Sequence, residues 1–225
     1  MTSTPPTTSP SPARPPYRLA AFDFDGTLAD SLGWLAGVWG EVADRYRFRR
    51  LDAAEIEALR GLDARRQLAR VGLPLWKVPF VARHVRRLMA RDAAGIRLFD
   101  GVRDLLAGLA AAGVTVAVVS SNAEANVRAV LGPADAGRVA YYGCGAGLFG
   151  KRRKLAAALR ACGARPAEAI YVGDEVRDVV AARGLGMAAG AVTWGFATAA
   201  ALAAAGPTET FASPREVLRR LAGEG

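Results

Sequence analysis

Short apolar runs alternate with amphipathic stretches along most of the chain. Tyr17–Phe22, Val114–Val119, Ala169–Val172 and Met187–Val192 are nearly continuous in apolar residues, the mark of strands buried in a core. Arg138–Tyr142 is a further strand candidate, and Thr210–Ala212 reads as an edge strand. Helical spacing dominates between the first two runs. Leu32, Leu35, Val38, Trp39, Val42 and Tyr46 recur near every 3.6 residues, with Asp30 or Ser31 placed as N-cap. More helices are predicted at roughly Asp52–Arg60, Asp63–Val71 and Pro74–Arg91. Later, a helix over Val102–Ala112 stops at Gly113, and others open near Asn122, Lys151 and Glu175. An Ala-rich helix and a closing helix over Pro214–Leu221 complete the pattern. The alternation predicts an α/β fold, a Rossmann-like doubly wound parallel sheet interrupted by a helical block.

Residues 1–16 are almost wholly Thr, Ser and Pro. Such a segment buries little apolar surface and reads as a disordered tail without a catalytic part. It has no apolar core segment, so it does not read as a secretory signal. The expected organisation is therefore a tail (1–16), an α/β core (17–31 and 97–225) and an inserted helical unit (32–96).

Composition narrows the picture. With 52% hydrophobic residues in a chain of 225, a sizeable core is within reach. No apolar run approaches a membrane span, so no membrane partner is expected. Cys144 and Cys162 are the only cysteines; they give no disulfide framework and fit a reducing, cytoplasmic setting. The net charge of +9 raises the question of nucleic acid. Apart from clusters at 83–87 and 151–154, however, the arginines are dispersed, and no nucleic-acid-binding motif accompanies them. A small anionic substrate accounts for a positive field equally well.

The chemistry begins where the first apolar run ends, at Asp23-Phe24-Asp25-Gly26-Thr27-Leu28-Ala29-Asp30-Ser31. Two carboxylates two residues apart share a face if the strand stays extended, and diverge if it turns. Unpaired carboxylates at the mouth of a core strand are costly, and a cation or a reactive role explains them. This string resembles the first motif of the haloacid dehalogenase (HAD) superfamily of phosphohydrolases. The resemblance implies Asp23 as nucleophile, Asp25 as general acid and base, and Mg²⁺ held by the Asp23 carboxylate and the Asp25 backbone carbonyl. Gly26 and Thr27 would lie against the phosphate.

Three later motifs extend the resemblance. Ser120-Ser121-Asn122, after the second run, matches the family's second motif and makes Ser120 a phosphate contact, with Ser121 and Asn122 beside it. Lys151, at a helix N-terminus where a cation opposes the helix dipole unless an anion is near, matches the third motif. Gly173-Asp174-Glu175-Val176-Arg177-Asp178 matches the fourth. Asp174 is expected to bind metal directly; for Asp178, direct ligation, ligation through water and orientation of Lys151 stay open, with Glu175 as a substitute ligand.

The helical unit corresponds to the family's small cap, placing the chain nearest the phosphoglycolate-phosphatase-like branch. In it, Arg65 is a candidate for a second anionic group on the substrate, whereas His84 reads as a surface residue. The expected activity is Mg²⁺-dependent hydrolysis of a small phosphorylated metabolite by a monomer or homodimer. Asp25 argues against dehalogenation, and a helical unit whose one lysine is Lys77 argues against phosphonate cleavage. A sugar-phosphate mutase, and a non-catalytic or nucleic-acid-binding member, are the alternatives.

Overall fold

The computed structural model describes residues 16–145, 147 and 150–223. The Thr/Ser/Pro-rich segment, except Pro16, and part of the loop before Lys151 lie outside them. Strands β1 (Leu19–Phe22), β4 (Thr115–Val118), β5 (Val139–Tyr142), β6 (Ala169–Gly173), β7 (Ala188–Val192) and β8 (Glu209–Phe211) form one sheet in the order β5-β4-β1-β6-β7-β8, with every neighbouring pair parallel. The chain builds outward from β1 on one side, then returns to build on the other. β1 is thus the switch point of the sheet, where ligands bind outside the carboxyl ends of the strands.

Helices cover both faces, which is why the strands are nearly all apolar. The strand period of two divides β1 between two cores. Ala20 and Phe22 pack with residues of α5 (Val102–Ala111), α6 (Glu124–Ala136) and α10 (Pro214–Ala222). Leu19 and Ala21 pack with α7 (Lys151–Ala161), α8 (Val176–Arg183) and α9 (Ala199–Ala205). Burying a Phe or Leu side chain stabilises by roughly 1.5–3 kcal/mol, so β1 is anchored on both faces one residue before Asp23.

Between β1 and the rest of the sheet lie α1 (Leu32–Tyr46), α2 (Ala53–Leu59), α3 (Ala64–Val71) and α4 (Val78–Asp92), with a hydrophobic cluster of their own built on Val42, Leu59, Val71, Val81 and Leu88. A two-residue pair absent from the periodicity, β2 (Ala29–Asp30) antiparallel to β3 (Arg97–Leu98), ties the two ends of this insert together. Among the described residues, no helix is long and apolar enough to cross a membrane.

Several expectations need correction. The helix expected over Pro74–Arg91 is broken: a 3₁₀ turn at Leu75–Lys77 precedes α4. Pro79 then sits in the first turn of α4, where its missing N–H leaves no helical bond unmade. Ser31 holds the N-cap position of α1, but its side chain makes no cap bond. The helix expected from Asn122 starts at Glu124. His84 is not a surface residue but is buried. It stands one turn from Val81 and Leu88 on the inner face of α4, edge-on to Tyr46 at 5.7 Å and 3.7 Å from the Glu41 carboxylate.

Candidate active site

Three of the four motifs in the α/β core begin at or just beyond the carboxyl end of a strand. Asp23 follows β1, Ser120 follows β4, and Asp174 follows β6. The register aligns Phe22 with Val118 on one side and Val172 on the other, so these side chains start from one level of the sheet. Lys151, the first residue of α7, reaches in from the side. Asp23, Ser120, Lys151, Asp174 and Asp178 are all buried. Burying this many charges is tolerable only if they pair.

They do pair. The Lys151 ammonium donates to Asp23 Oδ2 and to Asp178 Oδ1. Burial alone would lower the lysine's pKa, but the carboxylates of Asp178 and Asp23 outweigh it and hold it above its ordinary value. Asp23 Oδ1 accepts the Phe24 N–H at 2.8 Å. Asp178 Oδ2 accepts the Glu175 N–H at 3.0 Å, closing the first turn of α8. Asp178 thus has both oxygens engaged, one on Lys151.

Oxygens of Asp23, Asp174 and Asp178 all come within 4.8 Å of one another. Burial, followed by the charges of Glu175, Asp23 and Asp178, drives the Asp174 pKa well above the carboxylate range. Burial also raises Asp178 to about 6 although Lys151 opposes it. Three buried carboxylates with one shared lysine leave negative charge in excess, and an all-oxygen donor set suits a hard divalent cation such as Mg²⁺. Gly26, with φ of +76°, lies so close to the Asp174 carboxylate that a Cβ would overlap it, so only glycine leaves this cradle open.

Asp25 is turned away from that cluster. Its Oδ1 accepts from Ser31 Oγ at 2.9 Å, and its carboxylate accepts from Asn122 Nδ2 at 3.0 and 3.3 Å. Burial, then the Asp23 charge, push its pKa up to about 6, against the pull of those two donors. The two motif carboxylates therefore diverge: one is gripped by an ammonium, the other is poised near neutrality.

The remaining predicted residues fall into place differently. Ser120 is fully buried and its Oγ accepts the Asn122 N–H at 3.1 Å. Ser121 presents its carbonyl to Arg86 of α4 at 2.9 Å. Thr27, expected against the phosphate, donates its hydroxyl to Asp174 Oδ1 at 2.9 Å. Arg65, at the start of α3, is not in the carboxylate cluster; it lines a cavity of about 420 Å³ shared with Gln67, Lys151, Glu175, Arg177 and Phe196.

Two groups carry no sequence signal of their own. Arg177, inside the fourth motif, pairs with Glu175 at 2.5 Å and has a buried Nε without a hydrogen-bond partner. The loop after β7 wraps Asp174: the Phe196 N–H donates to Asp174 Oδ2 at 2.8 Å, and the Ala197 N–H to its carbonyl at 3.1 Å. These contacts run through backbone atoms, which composition does not reveal.

Comparison with known proteins places this geometry. The family model described as "haloacid dehalogenase-like hydrolase" matches residues 20–192. A phosphoglycolate phosphatase of Synechococcus elongatus is 35% identical over 199 residues, covering 88% of this chain and 94% of its own. The tyrosine-protein kinase PtkA of Mycobacterium tuberculosis is 30% identical over 198 residues, 84% of this chain and 66% of its own. Among solved structures, the haloacid dehalogenase-like hydrolase SP0104 of Streptococcus pneumoniae superimposes with a TM-score of 0.73 at 22% identity, covering 90% of this chain and 97% of its own. The chain belongs to the haloacid dehalogenase-like hydrolase family and resembles its phosphoglycolate-phosphatase branch.

Proposed function

We propose that this chain is a Mg²⁺-dependent phosphomonoester hydrolase that works through an aspartyl-phosphate on Asp23, with a small phosphorylated metabolite of the phosphoglycolate kind as substrate. The observation that carries this reading is the Lys151 ammonium held between Asp23 and Asp178 with Asp174 alongside. Carboxylates of Asp23 and Asp174 and the backbone carbonyl of Asp25 would hold the ion. Asp178, with both oxygens engaged, would act chiefly by orienting Lys151. When bound, Mg²⁺ neutralises phosphoryl oxygens and the nucleophile together.

The chain's own residues then divide the work. Asp23 attacks phosphorus, forming the aspartyl-phosphate and breaking the bond to the alcohol oxygen. Lys151 stabilises charge on the transferring group, and the Ser120 hydroxyl fixes one of its oxygens. Asp25 gives its proton to the departing alcohol. As a carboxylate it then takes a proton from the water that cleaves the intermediate. A group with a pKa near 6 serves in both directions close to neutral pH.

Residues 32–96 would form the lid, and residues 17–31 and 97–225 the core beneath it. Closure would exclude water from the intermediate. The cavity between them, with Arg65 and Arg177 on its wall, is the place for the rest of the substrate. The test is inorganic phosphate release from a panel of phosphate monoesters, phosphoglycolate included, with Mg²⁺ or with chelator. Mg²⁺-dependent release from at least one small ester is expected. No release from any member would overturn the reading.

A further inference from the structure

Arg60, at the C-terminal end of α2, is not part of any motif, yet it makes the most direct contact between the helical layer and the metal-site loop. Its Nε donates to the Phe196 carbonyl at 2.6 Å and its Nη2 to the Gly195 carbonyl at 3.2 Å. In return, the Thr198 N–H donates to the Arg60 carbonyl at 3.2 Å. A planar guanidinium forked over two consecutive carbonyls fixes both peptide planes, which a single-point ammonium cannot do. The fork also supplies donors to carbonyls at a partly buried junction.

Those peptide planes hold Asp174. The Phe196 N–H is the donor to Asp174 Oδ2, and Thr27 Oγ1 is the donor to Oδ1. Trp194, next in the same loop, donates its indole N–H to the Thr27 carbonyl at 3.1 Å, so the loop braces Thr27 as well. Gly195 lies so close to Asp174 and to the Gly26 carbonyl that even a Cβ would collide with both. A displacement of Phe196 therefore passes to the Asp174 carboxylate with little slack.

We propose that Arg60 is a positioning residue: by clamping the Gly195 and Phe196 carbonyls, it sets the Asp174 carboxylate in its metal-binding orientation and links seating of the helical layer to divalent-cation affinity. The inference rests on the reading of Asp174 as a metal ligand. Divalent ions such as Mg²⁺ tolerate little distortion of their ligands, and loss of the groups that orient a ligand typically weakens binding about 10- to 100-fold. Coupling of this kind is reciprocal, so an occupied cation site also favours the seated helical layer.

The experiment is direct titration of the full chain with Mn²⁺, following free ion by electron paramagnetic resonance, with circular dichroism and thermal melting to confirm folding. Arg60→Ala is expected to bind Mn²⁺ about tenfold more weakly than the wild type, and Arg60→Lys, which keeps the charge but loses the fork, to fall between. Glu57→Ala, which removes the arginine's other partner at 2.9 Å and leaves the clamp, is expected to bind like the wild type. Folded Arg60→Ala that binds within twofold of wild type overturns the proposal, whatever its melting temperature. Should Arg60→Ala fail to fold, Arg60→Lys decides: wild-type affinity overturns the proposal. A wild type without a Mn²⁺ site would instead sink the metal reading itself, and the proposal with it.

Discussion

Asp23 and Asp25 are the same residue type two positions apart, yet their surroundings differ. Asp23 receives an ammonium and a backbone N–H. Asp25, half-buried beside it, is raised to about 6. We expect Asp25→Asn to lower kcat/KM for an alkyl phosphate by about 10²–10⁴. The loss should be clearly smaller for p-nitrophenyl phosphate, whose leaving group needs no proton; equal losses would exclude Asp25 as the acid. Ser31 gives a second test. Its hydroxyl stabilises the Asp25 carboxylate, so Ser31→Ala raises that pKa further. The alkaline limb of kcat/KM for the alkyl ester, set by loss of the Asp25 proton, should move to higher pH, and a limb that stays put contradicts the assignment. The candidate nucleophile, acid and lysine are assigned through the resemblance to the haloacid dehalogenase motifs, whose strings stand where an apolar run ends or a helix opens. Ser31 holds the predicted N-cap position, but its hydroxyl serves Asp25 rather than the helix, a contact that only the fold makes.

At the scale of elements, the loop after β7 governs the site as closely as the motifs do. Gly195 has open backbone angles available, but its neighbours forbid a side chain. Gly195→Ala should destabilise by about 1–3 kcal/mol through overpacking and weaken Mn²⁺ binding, read by urea unfolding and ion titration. Wild-type values in both would show that the loop does not brace Asp174. Periodicity found the core helices and strands well because each buries a defined face. It missed the 3₁₀ turn before α4 and the β2–β3 pair because two or three residues carry no period. It also misplaced His84, whose polar identity outweighed its position one turn from Val81 and Leu88 on the buried side of α4. The loop's role escaped for a different reason: its bonds to Asp174 are made by backbone N–H groups of Phe196 and Ala197, which any residue but proline offers.

At the scale of the whole molecule, the site stores electrostatic repulsion that a cation relieves. Asp25 and Asp178 are raised to about 6, and Asp174 is raised further. A carboxyl whose folded pKa is raised contributes stability that is complete below the ordinary carboxylate range and is lost as pH rises through its folded value. Metal-free protein should therefore lose stability at this site from about pH 4 through 6 and above. Mg²⁺ at 100 times its Kd should add about 2.7 kcal/mol, or roughly 5–10 °C in Tm for a chain of this size. At one fixed Mg²⁺ concentration the gain should be larger at pH 7.5 than at pH 5, where the carboxyls are more protonated and the ion binds more weakly; equal gains, or none, would contradict the carboxylate cluster as the cation site. The net charge of +9 adds a long-range field that favours an anionic substrate. Asp23 as nucleophile is tested by Mg²⁺-dependent phosphate release from p-nitrophenyl phosphate by wild type and by Asp23→Asn. Turnover by the wild type and a loss of at least about 10³ in the variant are expected, in line with removal of a covalent nucleophile. A folded Asp23→Asn protein that turns over like the wild type would contradict it.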